Sequence, residues 1–164
     1  MILKSSSKVK KGSKFAKGEG NDCVVLAIAN AMGVDYDTAH TYARRQLNRK
    51  NGRGVRTVNI HSEFGKGNIK VGDKEATFTQ MKGLQIKNRY VVKGEVIDRQ
   101  KTLKSFIQSH PKGTYIVLVA NHALVVKDGI LIDHPGLEFK PTRKVKAAYD
   151  VSLKGSYQKQ LTLF

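Results

Sequence analysis

Cys23-Val24-Val25-Leu26-Ala27-Ile28-Ala29-Asn30-Ala31-Met32 is the most apolar helix-like run in the chain, and it opens on the chain's one cysteine. A polar, glycine-rich approach, Gly18-Glu19-Gly20-Asn21-Asp22, leads into it. Asn21 or Asp22 is a good N-cap, which places Cys23 in the first helical turn. The run is apolar on every side, so its helix is expected at the centre of the fold. Gly33 ends it at the usual C′ position.

Outward from that helix the elements become harder to read. Asp35 or Asp37 starts a second helix through about Leu47, with Ala39, Tyr42, Ala43 and Gln46 on one face and Arg44 and Arg45 exposed. Residues 48–56 form a basic loop. Residues 57–83 give no clear element, except that Val58, Ile60 and Phe64 suit a short helix and 65–72 a loop. A strand is expected over 89–97 and a helix over 100–109, where Leu103, Phe106 and Ile107 share a face. Pro111-Lys112-Gly113 breaks that helix. Residues 114–126 then read as one strand, and Asp128-Gly129 as a hairpin turn returning through Ile130 to Asp133. Residues 147–153 and the end of the chain are expected as edge strands. The fold class is α+β, a helical N-terminal part followed by an antiparallel sheet.

The chain has 164 residues, 30 of them Lys or Arg against 13 Asp or Glu, for a net charge of +17. That balance predicts attraction to an acidic partner, a nucleic acid, an anionic membrane or an acidic protein. Residues 1–17 read as a basic flexible arm, since Lys4, Lys8, Lys10, Lys11, Lys14 and Lys17 are interleaved with Ser and Gly. Residues 18–164 read as one domain. Lys8, Lys10, Lys11 and Lys14 of the arm, with Arg49, Lys50, Arg53 and Arg56 of the loop, are the candidate contacts to an acidic partner. No run of ~18 apolar residues suggests a membrane span, and no apolar segment after Met1 suggests a secretory signal. A single cysteine excludes an internal disulfide and, with no Cys/His cluster, argues against a structural metal. A reducing, cytoplasmic compartment is expected, with no metal or organic cofactor.

Counting along the hairpin relates His122 to Asp133. With Asp128-Gly129 as a two-residue turn, Lys127 faces Ile130, Val126 faces Leu131, Val125 faces Ile132, and Leu124 faces Asp133. His122 lies two residues from Leu124 and shares its face, so Asp133 is its diagonal neighbour, with Cα atoms ~7–8 Å apart. One extra loop residue would put the two on opposite faces. Asp128 belongs to the turn, Asp150 lies in a weakly read region, and Asn121 is expected on the opposite face. His40, His61, His110 and His134 are poorer candidates, His134 because it should face away. Taken singly, a buried cysteine is usually a small hydrophobe and a strand histidine a packing residue. A thiol at a helix start, with a histidine and a carboxylate at paired strand positions, forms a nucleophile, a base and an orienting group.

The segment Gly20-Asn21-Asp22-Cys23 through Ala31 resembles the nucleophile helix of papain-like cysteine peptidases. It is similar to the branch that includes the double-glycine leader peptidases of bacteriocin exporters, and to small papain-like proteins of bacteriophages. Asn121-His122-Ala123-Leu124-Val125-Val126 with Asp128, Gly129 and Asp133 resembles the histidine strand and the strand that follows it. The resemblance covers about a fifth of the chain. It implies a papain-like fold and a Cys23–His122–Asp133 triad that cleaves an amide bond of a host or viral protein. It further implies a phage-encoded protein, acting in the host cytoplasm or carried in the virion. The family places a glutamine six residues before the cysteine as an oxyanion donor; here that residue is Lys17. Asn21, with the Cys23 backbone N–H, or Lys17 itself, is then the candidate donor. The alternative is an inactive, strongly basic member of the same fold that binds nucleic acid or an acidic protein.

Overall fold

Position in the sheet explains most of the secondary structure that local pattern leaves ambiguous. In the computed structural model, residues 3–84, 88–92, 95–99, 101–134, 140 and 142–155 are described. Their fold is α+β, with helices α1 (Cys23–Met32), α2 (Tyr36–Gln46), α3 (Thr57–Phe64) and α4 (Leu103–Ser109). The strands are β1 (Leu3–Ser5), β2 (Asn68–Val71), β3 (Lys74–Gln80), β4 (Asn88–Val92), β5 (Glu95–Arg99), β6 (Thr114–Val119), β7 (His122–Lys127), β8 (Ile130–Asp133) and β9 (Ala147–Leu153). Seven of them make one sheet in the order β1-β8-β7-β6-β9-β3-β2, antiparallel except where β1 runs parallel to β8; β4 and β5 pair separately.

Period-two alternation gives the large sheet two apolar faces. Ile116, Leu118, Ala123, Val125, Tyr149 and Val151 lie in one core with α1 and α2. Val117, Leu124, Val126, Leu131 and Ala148 lie in a second core with Leu103, Phe106 and Ile107 of α4. Helix α1 is buried from Val24 to Ala29 and at Ala31 and Met32, as its all-round apolarity requires. Gly33 caps it at φ 69°, a conformation that a Cβ would strain, and returns its N–H to the Ala29 carbonyl. The β7–β8 register is the one counted from sequence, with Val125 opposite Ile132, Val126 opposite Leu131 and Lys127 opposite Ile130. Asp128 and Gly129 take φ 50° and 76°, the positive pair that a type I′ turn needs.

Several expectations are corrected. The stretch from Leu3 to Lys17, expected as a flexible arm, is joined to the fold by distant partners. β1 pairs with β8, setting Leu3 opposite Leu131 and Ser5 opposite Asp133. A short 3-10 turn (Ser6–Lys10) buries Ser6, whose carbonyl accepts a hydrogen bond from Asn30. Ser13 and the Lys14 and Phe15 N–H groups then donate to the Asp37 carboxylate on α2. Burial alone would raise the Asp37 pKa, but these three donors hold it below the usual carboxylate value. The single strand expected over 114–126 is two, because Ala120-Asn121 forms a tight turn with Asn121 at φ 55°. Residues 68–71 form β2 rather than a loop, and 89–97 fall across two strands. The expected edge strand over 147–153 is internal, between β6 and β3. Its alanines read as neutral in sequence, yet Ala147 and Ala148 fill both faces of a crowded interior strand. The end of the chain beyond Gly155 lies outside the described residues.

Candidate active site

Cys23 is the first residue of α1 and is half-buried. The preceding residue, Asp22, occupies the cap position but makes no side-chain cap. Its buried carboxylate instead accepts from the Tyr36 hydroxyl at 2.8 Å and pairs with Lys10 at 2.9 Å. Two consequences follow. The first-turn N–H groups of α1 are not occupied by the Asp22 side chain, so the positive end of the helix dipole remains directed at the thiol. The negative charge next to Cys23, which alone would disfavour a thiolate, is compensated by the Lys10 ammonium. Burial, then the Asp22 carboxylate, pushes the Tyr36 hydroxyl well above the ordinary phenol value, so it remains a donor.

His122 opens β7, directly after the Ala120-Asn121 turn. Its Nε2 lies 2.6 Å from Asp133 Oδ1, and the two side chains are only 11% and 13% exposed. The diagonal relation expected from the hairpin count is therefore a direct hydrogen bond. Cys23 lies close enough to the ring to raise its pKa, and with Nε2 taken by Asp133, Nδ1 is the nitrogen left for the thiol. Asp133 first, then Cys23, raises the His122 pKa from 6.5 to about 9, against the opposing effect of burial. At neutral pH the imidazole is thus a cation held between a carboxylate and a sulfur. Asp133 Oδ1 also accepts the backbone N–H of His134 at 2.7 Å, which fixes the carboxylate's orientation.

Two cavities flank this pair, and Cys23, Asn121, His122 and Ala123 line both. One, of about 230 Å³, is bounded by Ser6, Asn21, Asp22, Asp133 and His134. The other, of about 540 Å³, is bounded by Gly54, Val55, Ile60, His61 and Lys146. Cys23 and His122 therefore stand between two cavities, at the waist of a two-sided cleft. Among the described residues, no cluster of three or more His, Cys, Asp or Glu side chains is arranged to hold a metal ion.

The remaining sequence candidates are distributed unevenly. Asn21 lines the smaller cavity, and its side-chain amide donates to the Gly52 carbonyl at 3.0 Å, leaving a second N–H. Lys17 is exposed and lines neither cavity, so the oxyanion role considered for it has no geometric basis. Lys8, Lys11, Lys14, Lys50, Arg53 and Arg56 are exposed. Lys10 is committed to Asp22 and lies over the Tyr36 ring. Arg49 is 3% exposed and holds Glu19 at 2.8 Å, so it is a structural residue and not a surface contact.

Three features escaped the sequence. Glu19 gathers His40 Nε2 at 2.7 Å, Arg49 Nη1 at 2.8 Å and the Gly52 N–H at 2.6 Å, while Arg49 Nη2 donates to the Gly20 carbonyl. This clasp ties the basic loop to the glycine-rich approach to Cys23. Asn121, expected on the far face of a strand, stands in a turn at the waist of the cleft. His134, expected to face away, lines the smaller cavity, and His61 lines the larger one with its Nδ1 2.5 Å from Tyr149 Oη. An asparagine between two apolar runs is a weak turn signal that could have located Asn121. Nothing local marks Glu19 or Arg49.

No protein-family model matches the chain, no curated protein matches it, and no solved structure matches it. No described helix is long and apolar enough to cross a membrane.

Proposed function

We propose that this protein is a cysteine peptidase or amidase of papain-like design, cleaving an amide bond of a protein substrate with Cys23, His122 and Asp133. The observation that carries the reading is a histidine bonded to Asp133 that lines the same two cavities as a thiol at a helix start. Each group has a chemical task. The cationic His122 and the α1 dipole favour the Cys23 thiolate, which attacks the substrate carbonyl carbon. The tetrahedral oxyanion forms beside the Cys23 backbone N–H and the side-chain amides of Asn21 and Asn121. His122 gives its Nδ1 proton to the leaving nitrogen, and the C–N bond breaks to leave an acyl-enzyme. The neutral imidazole then takes a proton from water, whose oxygen attacks the acyl carbon and releases the thiolate. Asp133 holds the ring orientation throughout.

The experiment is the pH dependence of Cys23 alkylation by iodoacetamide in wild type and His122→Ala, run beside hydrolysis of a casein or peptide-library substrate. The expected result is a thiol that reacts rapidly at neutral pH, slows when His122 is removed, and whose loss in Cys23→Ala ends hydrolysis. A thiol indifferent to His122 would overturn the reading.

The exposed lysines and arginines, together with Lys17 at the family's glutamine position, favour a second reading: a non-catalytic basic protein that binds nucleic acid or an acidic protein. In that case Cys23→Ala is silent, and binding falls steeply with salt.

A further inference from the structure

The two sides of the Cys23–His122 pair differ in lining. The smaller cavity is bounded by Asp22 and Asp133, whose carboxylates are already paired with Lys10 and His122. The larger one has no carboxylate among its described lining residues and has an apolar floor of Val24, Ile60 and Leu118. Its outer wall is Gly54, Val55 and Thr57, the residues interleaved with Arg53 and Arg56. Both arginines and Lys50 are exposed. Among the described residues, Glu19 is spent on Arg49, His40 and the Gly52 N–H, and Glu63 is buried and paired with Lys66. The Glu19 clasp also anchors the loop at Gly52, so Arg53 and Arg56 are carried on a fixed segment whose Gly54, Val55 and Thr57 line the larger cavity.

Resting on the cysteine-hydrolase reading, we infer that the substrate is an acidic polypeptide, bound with an apolar side chain in the His61-side cavity and its Asp or Glu residues along Lys50, Arg53 and Arg56. Charge complementarity supplies the attraction, and the one-sided placement of these cations sets the direction in which the chain lies. An apolar slot beside a nucleophile suits a peptide side chain, whereas a nucleic acid would use the cations and leave the slot unfilled.

The test uses full-length Cys23→Ala protein and fluorescein-labelled peptides that share an Ala-Val-Leu-Gly-Ala core. Three glutamates stand on its N-terminal side, or on its C-terminal side, or are replaced by glutamines or lysines. By anisotropy, one of the two glutamate peptides should bind about tenfold more tightly than the glutamine peptide, a sum of a few rim charge pairs, and the lysine peptide more weakly than either. The advantage should shrink between roughly 50 and 300 mM salt. It should disappear in Arg53→Gln/Arg56→Gln, with the glutamine peptide unaffected. In wild type the favoured peptide should slow alkylation of Cys23. Equal affinity for all peptides, an acidic preference untouched by the arginine variants, or a short oligothymidylate that binds more tightly without shielding Cys23 would each overturn the inference. Because binding is read on Cys23→Ala protein, failure of the hydrolase reading shows separately, as an absence of hydrolysis and of His122-dependent alkylation.

Discussion

Asp133 Oδ1 lies 2.6 Å from Nε2 of His122, and the two residues are diagonal neighbours across the β7–β8 hairpin, so a two-residue turn determines the chemistry of the cleft. The pair has a pH signature. His122 is raised from 6.5 in the unfolded chain to about 9 in the fold, so the native state holds its proton more tightly. The stabilisation is fully present below pH 6.5, declines between 6.5 and 9, and is gone above about 9. Its size is on the order of 3 kcal/mol. Thermal unfolding of wild type and His122→Gln at several pH values should give a stability gap that closes across that window. A gap that stays constant with pH would mean that the fold leaves the His122 pKa where the unfolded chain has it.

Asp133 can act by charge or by orientation, and two substitutions separate these. Asp133→Asn keeps an oxygen that accepts from Nε2 but loses the negative charge. Asp133→Ala loses both. Activity should fall in both variants, by about tenfold more in Asp133→Ala, since orientation of the base is the larger requirement. The pH above which His122 is neutral should drop in both. Equal activities in the two variants would assign Asp133 a purely electrostatic part.

Glu19 and Arg49 form a clasp whose breakage should be costly. Their side chains are 7% and 1% exposed, so Glu19→Gln leaves a buried guanidinium without its counter-charge, at a cost of about 3–5 kcal/mol. Burial alone would raise the Glu19 pKa, but Arg49, His40 and the Gly52 N–H outweigh it and hold it below 4.5. A depressed carboxylate stabilises the fold above its unfolded pKa and loses that contribution as pH falls through the lower, folded value. Glu19→Gln should therefore lower the urea midpoint at neutral pH and flatten the acid limb of the stability profile. Glu19→Gln/Arg49→Met should recover part of the loss, because the unpaired charge is gone. No recovery in the double variant would argue against the clasp.

Local chemistry explains which parts of this fold were legible. Asp128-Gly129 is a turn signal confined to two residues, and a period-two pattern carries register outward from it, so the His122–Asp133 relation could be counted. The apolar α1 and the face of α4 were readable for the same reason. What escaped depends on partners distant in sequence. Leu3 and Leu131 pair across nearly the whole described chain, and Asp37 gathers Ser13, Lys14 and Phe15, so a lysine-rich segment that cannot order itself alone is ordered by others. Arg49 is locally indistinguishable from Arg53, and only Glu19 makes one buried and leaves the other exposed. In β9 the two adjacent alanines carry no period, although both are buried, on opposite faces.

Order in the N-terminal segment can be tested by removing it. Deleting residues 1–10 strips β1 from β8 next to Asp133 and removes the Lys10 partner of Asp22. A dispensable arm would leave stability and Cys23 reactivity unchanged. The fold described here predicts a loss on the order of 2 kcal/mol, or roughly 4–8 °C in Tm. It also predicts slower alkylation of Cys23, because the Asp22 charge is no longer compensated. Lys10→Gln alone should reproduce the slower alkylation and part of the stability loss, because it leaves the buried Asp22 carboxylate without its counter-charge.

Asn121 gives the sharpest test of the oxyanion arrangement, because its backbone and side chain can be separated. Its φ of 55° favours Asn or Gly, so Asn121→Ala strains the turn that positions His122, whereas Asn121→Gly keeps the turn and removes only the amide. If the amide donates to the oxyanion, Asn121→Gly should reduce kcat by about 10²-fold with little change in KM or Tm, the pattern of a bond made chiefly in the transition state. Asn21→Ala provides the comparison, since it also releases the bond to Gly52 and should alter KM and stability together. A full-rate Asn121→Gly enzyme with a crippled Asn21→Ala would move the second donor to Asn21. If both variants retained full rate, the backbone N–H groups at the start of α1, left uncapped by Asp22, would be the donors that remain.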